Sequence, residues 1–273
     1  MNPVEAFEQQ IREVIDVKHA IAVDHGSSAL YISLLALDLR PGEVVVTTPF
    51  TFVATAEAIV RAGGRPFFAD IDAETYCLDP ERVVDALNLL SSVNTRVWGV
   101  LPVHLFGRMA DVDALNEICY DRHLKLLEDA SQAFGVTHDG KHAGTFGHAG
   151  TYSFYASKMP YTYEGGAIVT EIDEVAEACR QIRNHGMDEN GDVVRLGGNY
   201  RLAWPLASHG ETMLRLHRKA SLSEIGTYGL EQGYYPRVVY DHPFYRDTGR
   251  SYCPIAEEAA EKVKALNSDP LFL

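Results

Sequence analysis

The first half of the chain alternates short apolar runs with amphipathic segments. Apolar residues recur at helical spacing over residues 4–18, and the apolar runs predict strands at 20–23, 44–47, 66–71, 97–103 and 124–127. The segments between these strands predict helices at 29–39, 51–62, 80–90 and 111–123. Strands that are apolar along their whole length, not at every second position, are typical of a parallel sheet covered on both faces. The pattern predicts an α/β fold with a mostly parallel central sheet covered by helices.

The pattern changes after residue 145. Strands are predicted at 151–155 and 167–170, on either side of Lys158, and helices at 173–183, 206–219 and 255–266. Pro205 weakens the prediction of the helix at 206–219. Residues 226–252 are rich in Tyr, Pro and Gly and predict a loop or short strands.

Charge narrows the range of functions. The 273 residues include 38 Asp and Glu against 24 Lys and Arg, a net charge of -14. Binding to nucleic acid or to an anionic membrane surface requires a basic face, so neither is expected. The N-terminus lacks a signal-peptide pattern, no apolar run is long enough for a bilayer, and the four cysteines show no zinc spacing. We expect a cytoplasmic protein that binds no metal.

One motif imitates a nucleotide-binding loop. Residues 135–141 fit the pattern GxxxxGK, but His142 follows where a phosphate-binding loop needs Ser or Thr. A surface hairpin with its turn at Asp139 and Gly140 is the better interpretation.

Ligands of parallel sheets bind beyond the carboxyl ends of the strands. Gly26, Ser27 and Ser28 lie between a strand and a helix, where free amides and hydroxyls attract phosphate, although a helix-capping serine is the alternative. Asp129 follows a buried strand and is either a helix cap or a site group. Lys158 follows an apolar stretch and is, taken alone, best explained as a surface lysine.

Together, these groups suit pyridoxal phosphate. A lysine forms a Schiff base with the cofactor's aldehyde, an acid keeps its pyridine nitrogen protonated, and an anion site holds its phosphate.

The chain also resembles the DegT/DnrJ/EryC1/StrS sugar aminotransferases, a fold-type-I family in the aspartate aminotransferase superfamily. The stretches that carry the resemblance, in chain order, are DHGSSALYISLLAL, TPFTFVATAEAI, PVHLFGRMADVDAL, LLEDASQAFG, GTFGHAGTYSFYASK, EGGAIVT, RNHG and GGNYRL. The resemblance implies a large cofactor-binding domain over residues 1–205 and a reduced C-terminal domain over 206–273.

The resemblance implies specific contacts with the cofactor. Ser27, Ser28 and Ser153 would hold its phosphate, and Phe52 would stack on its pyridine ring. Phe50 is the rival for that stacking position, and a core aromatic is the alternative for Phe52.

Three further residues would contact the ring or its reactive carbon. Asp129 would pair with the ring nitrogen, Gln132 would contact the ring oxygen, and Lys158 would bond the aldehyde and then move the substrate proton.

A homodimer is implied as well, because Asn199 would reach the phosphate of the neighbouring subunit's cofactor. His104 and His185 also match the family pattern, but a buried, hydrogen-bonded histidine explains each equally well.

The chain departs from the family at several positions. Met159 and Pro160 replace a common Asn after the lysine, and residues 203–205 replace an acidic residue and Gln. The family's opening stretch is skipped, and so is part of its small domain, at a junction near Gly226. We expect that the parent protein is longer; a natural chain with a stunted small domain is the alternative.

These observations predict a transaminase that acts on a nucleotide-linked keto-deoxysugar, with glutamate as amino donor. A deoxysugar dehydratase is one alternative, although such relatives replace the lysine with histidine. A regulatory or scaffold homologue without turnover is the other.

Overall fold

The computed structural model describes residues 2–217 and 235–267. Its strands are β1 (His19–Val23), β2 (Val44–Thr47), β3 (Arg65–Phe68), β4 (Val97–Leu101), β5 (Lys125–Asp129), β6 (Thr137–His138), β7 (Lys141–His142), β8 (Ala149–Ser153) and β9 (Gly166–Thr170). Its helices are α1 (Pro3–Ile15), α2 (Gly26–Ala36), α3 (Ala54–Arg61), α4 (Pro80–Ser92), α5 (Val112–Asp121), α6 (Asp173–Arg183), α7 (Trp204–His217) and α8 (Pro254–Asn267).

Seven of these strands form one sheet in the order β1-β9-β8-β5-β4-β2-β3. The pairs from β8 through β5, β4 and β2 to β3 are parallel, whereas β9 runs antiparallel to both of its neighbours. The predicted α/β fold with a mostly parallel sheet is therefore confirmed.

The sheet is apolar on both faces because successive residues of each strand enter different cores. On β2, Val44 and Val46 pack with α4, α5 and α8, whereas Val45 packs with α2, α3 and α6. On β5, Leu126 packs in the same core as Val44 and Val46, whereas Leu127 packs in the same core as Val45. A third core lies between α1, α7 and the strands β1, β8 and β9. This two-sided burial explains why the strand sequences do not alternate with polar residues.

The described C-terminal residues pack against this same sheet. Phe68 donates a backbone hydrogen bond to Gly249 and accepts one from Ser251, so residues 249–251 lie beside β3. The Asp70 carboxylate accepts the amides of Ile255 and Ala256 at the start of α8. The domain boundary at residue 205 stays a prediction.

Several element boundaries differ from the prediction. Helix α2 begins at Gly26, so Ser27 and Ser28 lie in its first turn instead of before it. Strand β5 includes Asp129, which pairs with Thr151 of β8. Helix α7 begins at Trp204 and tolerates Pro205, because a proline in the first turn of a helix loses no helical hydrogen bond.

The hairpin expected in place of a nucleotide-binding loop is confirmed. Strands β6 and β7 pair antiparallel, and Asp139 and Gly140 both have the positive φ that a tight primed turn requires.

All four cysteines are buried and unpaired, as small apolar residues would be. Within the described helices, none has both the length and the hydrophobicity needed to cross a bilayer. Residues 218–234, which include the junction near Gly226 and the end of the helix predicted to residue 219, lie outside the described residues.

Candidate active site

A cavity of about 1070 Å³ opens at the carboxyl edge of the central sheet. Strands β1, β2, β5 and β8 all end there, as expected for the ligand site of a parallel sheet. Six of the predicted site residues line it: Ser27, Phe52, Asp129, Gln132, Ser153 and Lys158. The fold thus brings together residues that are far apart in the sequence.

The N-terminus of α2 forms one wall of the cavity, through Gly26 and Ser27. It lies so close to β8 that a Cβ on Gly26 would meet the Ser153 Cβ at 2.7 Å. Helix N-termini carry unpaired amides and a partial positive charge, and two hydroxyls flank this one, so the wall suits a phosphate. Ser28 is buried and does not line the cavity. Its predicted phosphate contact stays a prediction.

Lys158 is half-buried in the same cavity, beyond the end of β8. Burial lowers the pKa of its ammonium group below the ordinary lysine value, and attraction to the Asp129 carboxylate partly opposes the shift. A lysine of this kind presents a larger neutral, nucleophilic fraction than a surface lysine does.

The Asp129 carboxylate is buried, and two hydrogen bonds fix its orientation. Thr55 Oγ1 donates to Oδ2 at 2.9 Å, and the Ser131 amide donates to Oδ1 at 3.2 Å. Thr51 Oγ1 lies 3.2 Å from Thr55 Oγ1 and extends the chain. Sequence reasoning missed Thr55, because its role depends on a contact with Asp129, which is 74 residues further along the chain.

The two candidate stacking residues are clearly separated. Phe52 lines the cavity and is 58% exposed, whereas Phe50 is fully buried in the core against Tyr76 and Phe106. Of these two residues, Phe52 is the one that a ligand in this cavity can contact.

Two neighbours hold the Gln132 side chain. Its Oε1 accepts the Phe106 amide at 3.0 Å, and its Nε2 donates to Tyr235 Oη at 2.6 Å. Tyr235 also lines the cavity, but nothing in the sequence around it indicated a role in the site.

His104 lies behind the site, outside the cavity lining. It is fully buried, with its Nε2 2.8 Å from Glu128 Oε2. His104 is therefore a buried, hydrogen-bonded histidine, which is one of the two explanations that the sequence allowed. His185 is exposed and does not line the cavity.

Asn199 is exposed and lies outside the cavity of its own chain. Its backbone pairs with Asn184 after α6. Its predicted contact with a second subunit stays a prediction.

The residues present fit pyridoxal phosphate. A half-buried amine, a carboxylate held by Thr55, an exposed aromatic face and an anion-suited helix N-terminus face one cavity. These groups match the aldehyde, the pyridinium nitrogen, the ring and the phosphate of that cofactor.

Sequence comparisons connect the chain with a family of aminotransferases. The sequence model of the DegT/DnrJ/EryC1/StrS aminotransferase family matches residues 2–221. The chain is 42% identical over 200 residues to a pleiotropic regulatory protein of Geobacillus stearothermophilus, over 73% of this chain and 52% of that protein. It is 38% identical over 200 residues to a UDP-2-acetamido-2-deoxy-3-oxo-D-glucuronate aminotransferase of Pseudomonas aeruginosa, over 73% and 54% of the two chains. The chain spans about half the length of these curated relatives.

Solved structures share this fold. A DegT DnrJ EryC1 StrS aminotransferase from Brucella abortus superposes with a TM-score of 0.85 at 24% identity, covering 98% of this chain and 91% of that one. NtdA from Bacillus subtilis, with bound cofactor PMP, superposes with a TM-score of 0.80 at 25% identity, covering 100% and 77%.

Proposed function

The chain belongs to the DegT/DnrJ/EryC1/StrS aminotransferase family, and on that premise we propose that it is a pyridoxal-phosphate-dependent aminotransferase. Its substrate is a nucleotide-linked keto-deoxysugar, and glutamate is its amino donor. The observation that carries the proposal is the presence of Lys158 and Asp129 in one cavity at the carboxyl edge of the sheet. The relatives' names support the substrate class, since they include a GDP-perosamine synthase and a dTDP-3-amino-3,4,6-trideoxy-alpha-D-glucose transaminase.

Each group of the site has a task in this reaction. Pyridoxal phosphate, when bound, supplies an electron sink for the α-carbon of the amino donor. The Lys158 amine takes the proton from that carbon and later returns a proton to the carbon that receives the amino group. The Asp129 carboxylate, oriented by Thr55, holds the proton on the ring nitrogen.

Binding and orientation fall to the cavity walls. The first turn of α2, with the hydroxyls of Ser27 and Ser153, would hold the phosphate, and Phe52 would cover the ring. Residues that hold the phosphate and the ring nitrogen would orient the bound cofactor toward Lys158, which would lower the entropic part of the barrier.

The active assembly is a homodimer in the cytoplasm. Asn199 is exposed and lies near Val193, Val194, Leu196 and Trp204 in the sequence, large apolar residues that are each more than half exposed. A second copy of the chain would cover such apolar surface. It would also bring Asn199 to the partner's cofactor phosphate.

A regulatory homologue without turnover is the second candidate. The observation that favours it is the printed name of one relative, a pleiotropic regulatory protein. The predicted dehydratase alternative is weaker, because Lys158 stands where such enzymes have histidine.

Protein loaded with pyridoxal phosphate should convert glutamate to 2-oxoglutarate in a single turnover, and transfer the amino group to a nucleotide ketosugar in a second step. Mass spectrometry of the sugar distinguishes the outcomes, with Lys158→Ala as the inactive control. Cofactor binding without amino transfer from any amino acid would favour the regulatory candidate, and loss of water from the sugar would favour the dehydratase. A protein that binds no pyridoxal phosphate would contradict both enzymatic candidates and leave the regulatory one.

A further inference from the structure

We propose that Tyr235, in the C-terminal segment, is a positioning residue of the cofactor site that acts through Gln132. This inference rests on the proposed function, because it assigns Tyr235 a role toward the same cofactor.

The first step concerns the orientation of the Gln132 amide. Because the Phe106 N–H donates to Oε1, that end of the amide must be the oxygen. The Nε2 end then donates one of its two hydrogens to Tyr235 Oη at 2.6 Å. Gln132 lines the cavity, so its second N–H is the one offered to an acceptor there, such as the ring oxygen of the cofactor. Two contacts on opposite ends leave the amide a single orientation.

The second step concerns the ring of Tyr235, which aromatic neighbours hold in place. It stacks on Phe106 with centroids 6.1 Å apart and an interplanar angle of 21°. It meets the edge of Phe50 at 6.0 Å and lies 6.5 Å from the ring of Phe52. Offset-stacked and edge-on pairs at these distances are favourable. The hydroxyl therefore cannot leave Gln132 without disrupting the packing of the ring.

The third step concerns the chain that carries Tyr235. The Val239 amide donates to the Pro49 carbonyl at 2.9 Å, and Val238 and Tyr240 are buried in the same core as Phe50. The loop that bears Phe52 and the segment that bears Tyr235 are thus fastened to each other. The C-terminal segment in this way contributes both to the wall of the cavity and to the orientation of one of its polar groups.

The test is Tyr235→Phe, which removes one oxygen and keeps the ring. Tyr252→Phe is the matched control, because Tyr252 belongs to the same segment and is largely exposed. We expect Tyr235→Phe to weaken pyridoxal phosphate binding about two- to tenfold, the effect of one lost hydrogen bond. It should also shift the visible absorption maximum of the bound cofactor, because the contact with the ring oxygen loosens. The control should change neither quantity.

A second substitution separates a positioning role from a structural one. In a Gln132→Leu background, Tyr235→Phe should cause no further loss of affinity, because the two residues act through one hydrogen bond. Equal losses in both backgrounds would overturn the inference, as would wild-type affinity and absorption in Tyr235→Phe. Wild-type protein that binds no pyridoxal phosphate would instead contradict the proposed function itself, and the positioning role with it.

Discussion

His104 and Glu128 form a pair in which both side chains are fully buried and Nε2 lies 2.8 Å from Oε2. The Glu128 carboxylate also accepts the amides of Gly144, Phe146 and Gly147, so donors surround both of its oxygens. Glu128 directly precedes Asp129 on β5. Glu128 therefore ties the turn after β7 to the carboxyl end of β5, where Asp129 lies.

Glu128→Gln should destabilise the protein, because the amide would point a donor at groups that are themselves donors. We expect the free energy of unfolding to fall by about 3 kcal/mol in urea denaturation, because a mispaired amide would replace a buried carboxylate that accepts several hydrogen bonds. Glu258→Gln, which alters an exposed pair with Lys262, is the control and should leave the free energy of unfolding nearly unchanged. Equal unfolding free energies for the two variants would show that the buried contacts carry no stability.

Thr55→Val should reduce turnover about tenfold while leaving the cofactor bound. The substitution removes the hydroxyl that donates to Asp129 Oδ2, so the carboxylate loses a fixed orientation toward the ring nitrogen. Thr212→Val on α7 is the control, because the Thr212 hydroxyl donates to the Ser208 carbonyl of its own helix. Unchanged single-turnover rates in Thr55→Val would show that Thr55 does not orient Asp129 for the reaction.

Lys158 should titrate below an ordinary lysine in the protein without cofactor. Burial lowers the pKa of its ammonium group, so the neutral amine is present at a lower pH. Lys262 is the internal reference, because its contact with Glu258 raises its pKa. Reductive methylation followed by peptide mapping should give a midpoint for Lys158 below that for Lys262. The reverse order would mean that Lys158 is solvated.

Mixed dimers test the proposed contact of Asn199 with the partner subunit. Lys158→Ala and Asn199→Ala should each lose most activity as homodimers. Mixing them should restore activity, because one of the two sites in the mixed dimer then has both an intact Lys158 and an intact partner Asn199. If mixing restores nothing, Asn199 does not act across the interface.

The sequence predicted the sheet well because burial on both faces leaves a clear local signal. The strand at 44–47 is found with those bounds, since every residue of β2 is buried. Boundaries at the carboxyl edge were less accurate. The helix expected from residue 51 begins at Ala54, because Thr51 and Phe52 belong to the loop that lines the cavity.

The site was predictable where a residue's chemistry is distinctive and its place in the chain is at a strand end. Asp129 and Lys158 meet both conditions, and both line the cavity. Thr55 and Tyr235 were missed because their roles depend on contacts across the fold, with Asp129 and Gln132 respectively. No local pattern encodes such contacts.

Sodium borohydride reduction of the cofactor-loaded protein, followed by peptide mapping, tests the central claim most directly. Borohydride makes the bond between pyridoxal phosphate and a lysine amine permanent, so the modified residue can be identified by mass. The account predicts one pyridoxyl label per chain, on Lys158 in the peptide that contains SFYASK. A label on a different lysine, or loaded protein without a label, would contradict it.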